Sequence, residues 1–215
     1  MKKYKGIIFD IDGTLTSTNQ LIFASFNYVA KKYLNRTYKD EELIKLFGPT
    51  EDVILRQWCP DNYDEARKDY YNFYSENHHM ADLYPGIIDI LKYLKSKNIY
   101  LSIYTGKGNE ASVITLKKLG IYEYFDLIIT GDHVKEHKPS PEGIHLFMQQ
   151  FNLQNDEVLM IGDSHVDIKA ARAANVKVVS VIWDSLSIDK VKALGTDYLF
   201  KTVEDLYEFI KKEIK

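Results

Sequence analysis

Two aspartates one residue apart, Asp10 and Asp12, close the apolar run of residues 6–10 and are followed by Gly13-Thr14. Side chains alternate along an extended chain, so both carboxylates can face the same way. At about 4 Å, like charges cost on the order of 4 kcal/mol at an effective dielectric near 20, so the pair calls for cations close by. An Asx-type turn accounts for one aspartate at a strand end, but poorly for two. A second acidic pair follows another apolar run, in Gly162-Asp163-Ser164-His165-Val166-Asp167. Asp163 leaves a strand end much as Asp10 does. Asp167, four residues on, fits either a helix N-terminus, whose dipole favours an acid, or a shared ion site. Carboxylates from two strand ends suit a hard cation such as Mg²⁺, which prefers oxygen ligands.

Lys138 precedes Pro139, which favours an extended lysine with an aimed ammonium. Opposite the carboxylates, that cation can hold a nucleophile ionised and bind an anionic substrate. Thr105-Gly106 ends a further apolar run. A hydroxyl and freed backbone N–H groups at a strand-to-helix turn form a nest for a phosphate-sized anion.

These residues need a scaffold of strand ends. Apolar runs of strand length cover residues 6–10, 99–104, 126–130, 157–162 and 176–182, with a weaker one at 197–200. They are continuous rather than alternating, as in strands buried on both faces of a parallel sheet. Helical spacing separates the later runs: Ile87, Ile90, Leu91 and Leu94 form one stripe, and Val113, Leu116 and Leu119 another. Ser140-Pro141-Glu142 reads as an N-cap with proline at the first helical position. The alternation predicts an α/β fold, a doubly wound parallel sheet with right-handed crossovers. Residues 16–82 break it. Ile22, Phe23, Phe26, Val29, Ala30 and Tyr33 repeat at helical steps, as do Val53, Ile54 and Trp58, then Tyr70, Phe73 and Tyr74. No convincing strand lies among them, and the stretch is too long for a crossover loop. Residues 1–15 and 83–215 are therefore expected to form the α/β core domain with the site, and 16–82 a helical domain hinged at 16–19 and 81–86.

Composition agrees with a folded protein. Of 215 residues, 45% are hydrophobic and 27% charged, enough for a sizeable core. The net charge of −3, with 28 basic residues in no long block, speaks against nucleic acid as a partner. One cysteine, Cys59, rules out an internal disulfide and a thiolate metal cage. No signal peptide is read at Met1-Lys2-Lys3-Tyr4 and no membrane-length apolar stretch follows, so a cytoplasmic location is expected. Oligomeric state is not legible.

In order, the motifs read D-x-D-G-T, strand-end Thr, Lys-Pro and G-D-x-x-x-D. This pattern resembles the haloacid dehalogenase superfamily of phosphotransferases, over nearly the whole chain. The helical stretch resembles the α-helical cap inserted after the first motif in one branch, that of the phosphoglycolate phosphatases. The resemblance implies a Rossmann-type core and a Mg²⁺-dependent phosphatase acting on a small phosphorylated metabolite. By its residue roles, Asp10 would be the nucleophile that becomes an aspartyl-phosphate. Asp12 would protonate the leaving oxygen and then activate water. Thr105 and the Gly106 backbone would bind phosphoryl oxygens, with Lys138 bridging nucleophile and phosphate. Mg²⁺ would be held by Asp10, the Asp12 carbonyl and Asp163, with Asp167 behind them or ligating through water. Related sequences often carry Ser or Asn where Gly106 stands, a change that keeps the needed N–H. The name-giving dehalogenases resemble this chain but lack an acid at the place of Asp12, which argues against dehalogenation. Rivals with the same site are a pyrophosphatase and a sugar-phosphate mutase; a non-catalytic phosphate-binding protein is the alternative from another class.

Other residues carry less. His133 and His137 are four apart, but no third ligand accompanies them and Lys138-Pro139 interrupts any helix, so they are not read as a metal site. His78-His79 is expected in solvent, Arg56 on the surface, and Tyr63, Tyr70, Tyr71 and Tyr74 in a core. The Gly48-Pro49 turn before Thr50-Glu51 resembles the place where related enzymes lower a specificity loop toward the phosphate.

Overall fold

The computed structural model describes residues 4–214. Met1-Lys2-Lys3, part of the segment read as carrying no signal peptide, lies outside them. Strand β1 (Gly6–Phe9) is fully buried, as its unbroken apolar run requires. It pairs in parallel with β4 (Tyr100–Tyr104) on one side and β6 (Val158–Gly162) on the other. β5 (Leu127–Ile129) extends the sheet past β4, and β7 (Lys177–Val181) and β8 (Tyr198–Phe200) extend it past β6, giving the order β5-β4-β1-β6-β7-β8, parallel throughout.

Alternation along β1 splits the core between the two faces. Ile7 and Phe9 pack with α5 (Ile87–Ser96), α6 (Asn109–Lys118) and α10 (Val203–Glu213), through Ile90, Leu94, Leu116, Leu206 and Ile210. Ile8 packs on the other face with α7 (Glu142–Phe151), α8 (His165–Ala173) and α9 (Ile188–Leu194), through Phe147, Ile168 and Val191. The chain leaves β1 for one side of the sheet and later returns to the other. β1 is thus the topological switch point, beyond whose carboxyl end such folds keep their ligand crevice.

Between β1 and β4 stand α1 (Asn19–Leu34), α2 (Asp40–Ile44), α3 (Glu51–Trp58) and α4 (Tyr63–Glu76). Leu21, Phe26, Val29, Leu55, Tyr70, Tyr71 and Tyr74 form their own core, to which α6 adds Ala111. Tyr63 is only half-buried, under the Arg56 guanidinium 3.9 Å from its ring centroid; Arg56 itself is exposed.

Three local expectations need correction. The interval 16–82 does contain strand: β2 (Thr16–Ser17) and β3 (Asp82–Leu83) pair antiparallel, Thr16 with Leu83 and Ser17 with Asp82, so the two hinges form one ribbon. Two residues carry no periodicity, and their partners lie far apart in sequence. α7 begins at Glu142, so Pro141 stands just before its first residue, and Ser140 Oγ accepts from Glu142 N at 3.3 Å. His78 is buried rather than solvated, its Nε2 lying 3.3 Å from Thr115 Oγ1 on α6, while His79 is exposed. Among the described residues, no helix is long and apolar enough to cross a membrane.

Candidate active site

A cavity of about 460 Å³ opens beyond the carboxyl ends of β1, β4 and β6, between the sheet and the inserted helices. All four motifs meet there. Asp10, Asp12, Thr105, Gly106, Lys138 and Asp163 line it, and Asp167 stands immediately behind.

Asp10 follows β1, its backbone N–H donating to Ile161 O at 2.9 Å, so the ladder to β6 carries its carboxylate to the sheet edge. Asp10 Oδ1 accepts from Ile11 N at 2.8 Å, and Oδ2 lies 3.1 Å from Lys138 Nζ. Burial raises its pKa to about 6, Lys138 working against the rise and Asp167 and Asp12 adding to it. Lys138 is held by three acceptors at once: Asp10, Asp167 Oδ1 at 2.6 Å and Tyr104 O at 3.1 Å. Burial disfavours the ammonium, but Asp10 and Asp167 more than offset it and push its pKa up. The Lys138–Pro139 bond is cis.

Asp163, just past β6, is buried, and its pKa is pushed well above the carboxylate range by burial and by Asp10 and Asp167. Asp167 takes the helix N-terminal role and adds a contact with Lys138. Its Oδ2 accepts from Ser164 N at 2.9 Å, completing a capping box at the start of α8, while Oδ1 takes Lys138. Oxygens of Asp10, Asp163 and Asp167 lie within 4.8 Å of one another. Three buried acids against one lysine leave an excess of negative charge. Two glycines make room for them: a Cβ on Gly162 would sit 2.4 Å from Asp167 Cγ, and one on Gly13, at φ +77°, 2.7 Å from Asp163 Oδ2.

Asp12 has a separate set of partners that the motif reading missed. Lys107 Nζ lies 3.1 Å from Asp12 Oδ2 and 3.3 Å from Oδ1, and Thr18 Oγ1 donates to Oδ1. Glu51, the first residue of α3, reaches Lys107 at 3.7 Å, and its Oε2 accepts from Gly108 N at 2.7 Å. Burial opposes the Lys107 charge; Asp12, Tyr74 and Glu51 outweigh it and raise its pKa. The two aspartates therefore coexist because each has its own buried lysine. A signal was present: Lys107 follows directly on Thr105-Gly106. Nothing local marks Glu51 as its partner, since 56 positions of chain separate them. Thr105 is buried beside this pair, and its Oγ1 accepts from Lys107 N at 3.3 Å. His133 bonds within its own turn, its Nδ1 accepting from Thr130 N, while His137 lines the cavity.

The likeness to known proteins runs along the whole chain. The family model described as haloacid dehalogenase-like hydrolase matches residues 7–181. A pyrophosphatase PpaX of Oceanobacillus iheyensis is 32% identical over 210 residues, 95% of each chain. A pyrophosphatase PpaX of Bacillus pumilus is 31% identical over 205 residues, again 95% of each. A solved Haemophilus somnus structure, described as a predicted phosphoglycolate phosphatase, superposes with TM-score 0.82 at 24% identity, covering 97% of this chain and 99% of that one. With its motifs gathered at the switch point and a family match across both halves of the sheet, the chain belongs to the haloacid dehalogenase-like hydrolase family, as an enzyme of its phosphatase branch.

Proposed function

We propose that this enzyme is a Mg²⁺-dependent phosphatase that hydrolyses a small phosphomonoester through an aspartyl-phosphate on Asp10. The observation that carries the reading is Asp10 itself, buried between Lys138 and two further acids at the floor of the cavity, with Asp12 on a different cation. The acid cluster fits a hard divalent ion, being all oxygen, buried and short of positive charge. Asp10 and Asp163 would hold Mg²⁺ with the Asp12 carbonyl, and Asp167 would act through water, since both its oxygens are engaged. When bound, the ion offsets negative charge on the phosphoryl oxygens.

The remaining chemistry belongs to the side chains. An Asp10 oxygen attacks phosphorus and the bond to the leaving oxygen breaks, that oxygen taking a proton from Asp12. Asp12 then takes a proton from water, which attacks the same phosphorus; the bond to Asp10 breaks and orthophosphate leaves. Lys138 stabilises the charge that builds on the phosphoryl oxygens, with Thr105 and the Gly106 N–H as donors. Residues 16–82 act as a cap that excludes water and reads the leaving group. The substrate is a cytoplasmic phosphorylated metabolite, neither nucleic acid nor membrane.

A second reading, cleavage of inorganic pyrophosphate, is favoured by the names of the relatives at 31 and 32% identity. The mutase alternative has a likeness of its own, a Thermotoga maritima structure described as a putative beta-phosphoglucomutase at 25% identity and TM-score 0.76; the non-catalytic alternative has none, since every motif residue is present. Turnover across a panel of phosphomonoesters and pyrophosphate, with and without Mg²⁺, tests the proposal. No hydrolysis of any member, or hydrolysis unaffected by chelation, would overturn it.

A further inference from the structure

The cavity has two unlike walls. Its floor is the charged site of Asp10, Asp12, Lys107, Lys138 and Asp163. The wall supplied by the inserted helices is mainly apolar: Ile22 and Phe26 from α1, Ile44 at the end of α2, Phe47 in the turn after it, and Ile54 from α3, with Asn19 and Glu51 at the starts of α1 and α3 as its polar members. Ile22, Phe26 and Ile54 back this wall from the insert's own core, whereas Ile44 is half-buried and Phe47 exposed, so these two present the apolar surface. This wall faces the floor with the insert seated, since Glu51 at the start of α3 already bonds Gly108 N of the core. Leu186, from the turn before α9, adds an apolar side chain to the opposite lip. The cations of the floor are committed, Lys107 to Asp12 and Lys138 to Asp10 and Asp167. Lys45 and Lys190 also line the cavity, but both are exposed at its rim.

We propose that the leaving group read by this chamber is an alcohol bearing an apolar ring, and that inorganic pyrophosphate is a poor ligand. The inference rests on the phosphatase reading and adds the substrate class. With one phosphoryl group on the floor, a leaving group that fills the cavity meets the insert at Ile44 and Phe47. A second phosphate there would lose its water against hydrocarbon, with no buried cation in that wall to replace it. An apolar ring gains by the same burial, and Phe47, 42% exposed, offers it an aromatic partner. The space suits such a group: about 460 Å³ lies within the range of roughly 300–1,000 Å³ usual for organic ligands.

The test is calorimetric titration of the full-length protein in Mg²⁺ with benzylphosphonate, ethylphosphonate and imidodiphosphate, none of which offers a cleavable phosphate ester. Benzylphosphonate is expected to bind at least about tenfold more tightly than either of the others. Phe47→Ala and Leu186→Ala alter side chains that are 42% and 49% exposed, so the fold should survive. Each is expected to reduce the preference for the benzyl compound about threefold or more, and the double variant to reduce it further. Equal binding of the two phosphonates, tighter binding of imidodiphosphate, or a preference untouched in the double variant would overturn the inference. Turnover of benzyl phosphate reports separately on the chemistry. If benzylphosphonate binds preferentially and neither benzyl phosphate nor any other member of the panel is hydrolysed, the chamber assignment is supported and the phosphatase reading fails.

Discussion

At the scale of single residues, the site is built from two carboxylate–lysine systems that share a floor. Asp10 and Lys138 belong to the system that includes Asp163 and Asp167; Asp12 and Lys107 belong to the one that reaches Glu51. On the proposed mechanism, keeping them apart would let Asp10 attack while Asp12 serves as acid and base. Asp10→Asn keeps size and shape but loses the attacking oxygen. It is expected to lower kcat for benzyl phosphate by at least about 10³-fold, with an unchanged circular dichroism spectrum. Lys107→Met tests the second system through stability. The lysine side chain is 2% exposed, and its loss leaves Asp12 and buried Glu51 without their shared cation. Breaking a buried pair in this way costs on the order of 3 kcal/mol, visible as a lower urea midpoint at unchanged slope.

At the scale of elements, short turns and one helix set the geometry. The turn after β1 passes so close to Asp163 that only a glycine fits at position 13, where φ is also positive. Gly13→Ala is expected to displace Asp163 and lower kcat/KM about 100-fold, a loss that steady-state kinetics would register. Helix α6 is the element on which the insert sits. Gly108 N meets Glu51, Ala111 enters the insert's core, and Thr115 Oγ1 lies 2.7 Å from Tyr74 Oη. Arg67 also spans the junction, pairing with Asp52 on α3 and Glu110 on α6, but its partners are 28% and 41% exposed. Exposed pairs contribute less than about 1 kcal/mol, whereas a fully buried hydrogen bond contributes about 1 kcal/mol and leaves an unmatched partner when broken. Tyr74→Phe should therefore lower the melting temperature more than Arg67→Ala, the reverse of a ranking by charge.

At the scale of the whole molecule, the excess of buried acid at the switch point predicts how the fold responds to metal. Mg²⁺ is expected to raise the melting temperature of the wild type, by about 2.7 kcal/mol of stability at a free concentration one hundred times its Kd, and chelation to reverse it. Asp163→Asn should raise the metal-free melting temperature by relieving like-charge repulsion, yet abolish the Mg²⁺ increment. A wild type indifferent to Mg²⁺ in differential scanning calorimetry would contradict the assigned cluster. Much of this molecule was legible in its sequence because the signals were local. The continuous runs around Ile7 and Met160 marked strands buried on two faces, and Asp10, Thr105, Lys138 and Asp163 were legible because strand ends of a parallel sheet converge on one crevice. The capping use of Asp167 was also legible in its spacing, whereas its contact with Lys138 was not. Three further features were decided only in three dimensions: the hinge ribbon of Thr16 with Leu83, the burial of His78 against Thr115, and the pairing of Lys107 with Glu51. Each joins residues far apart in the chain. Periodicity and motif spacing record what one segment does by itself; which distant charge, hydroxyl or strand it meets depends on how the inserted helices seat on α6.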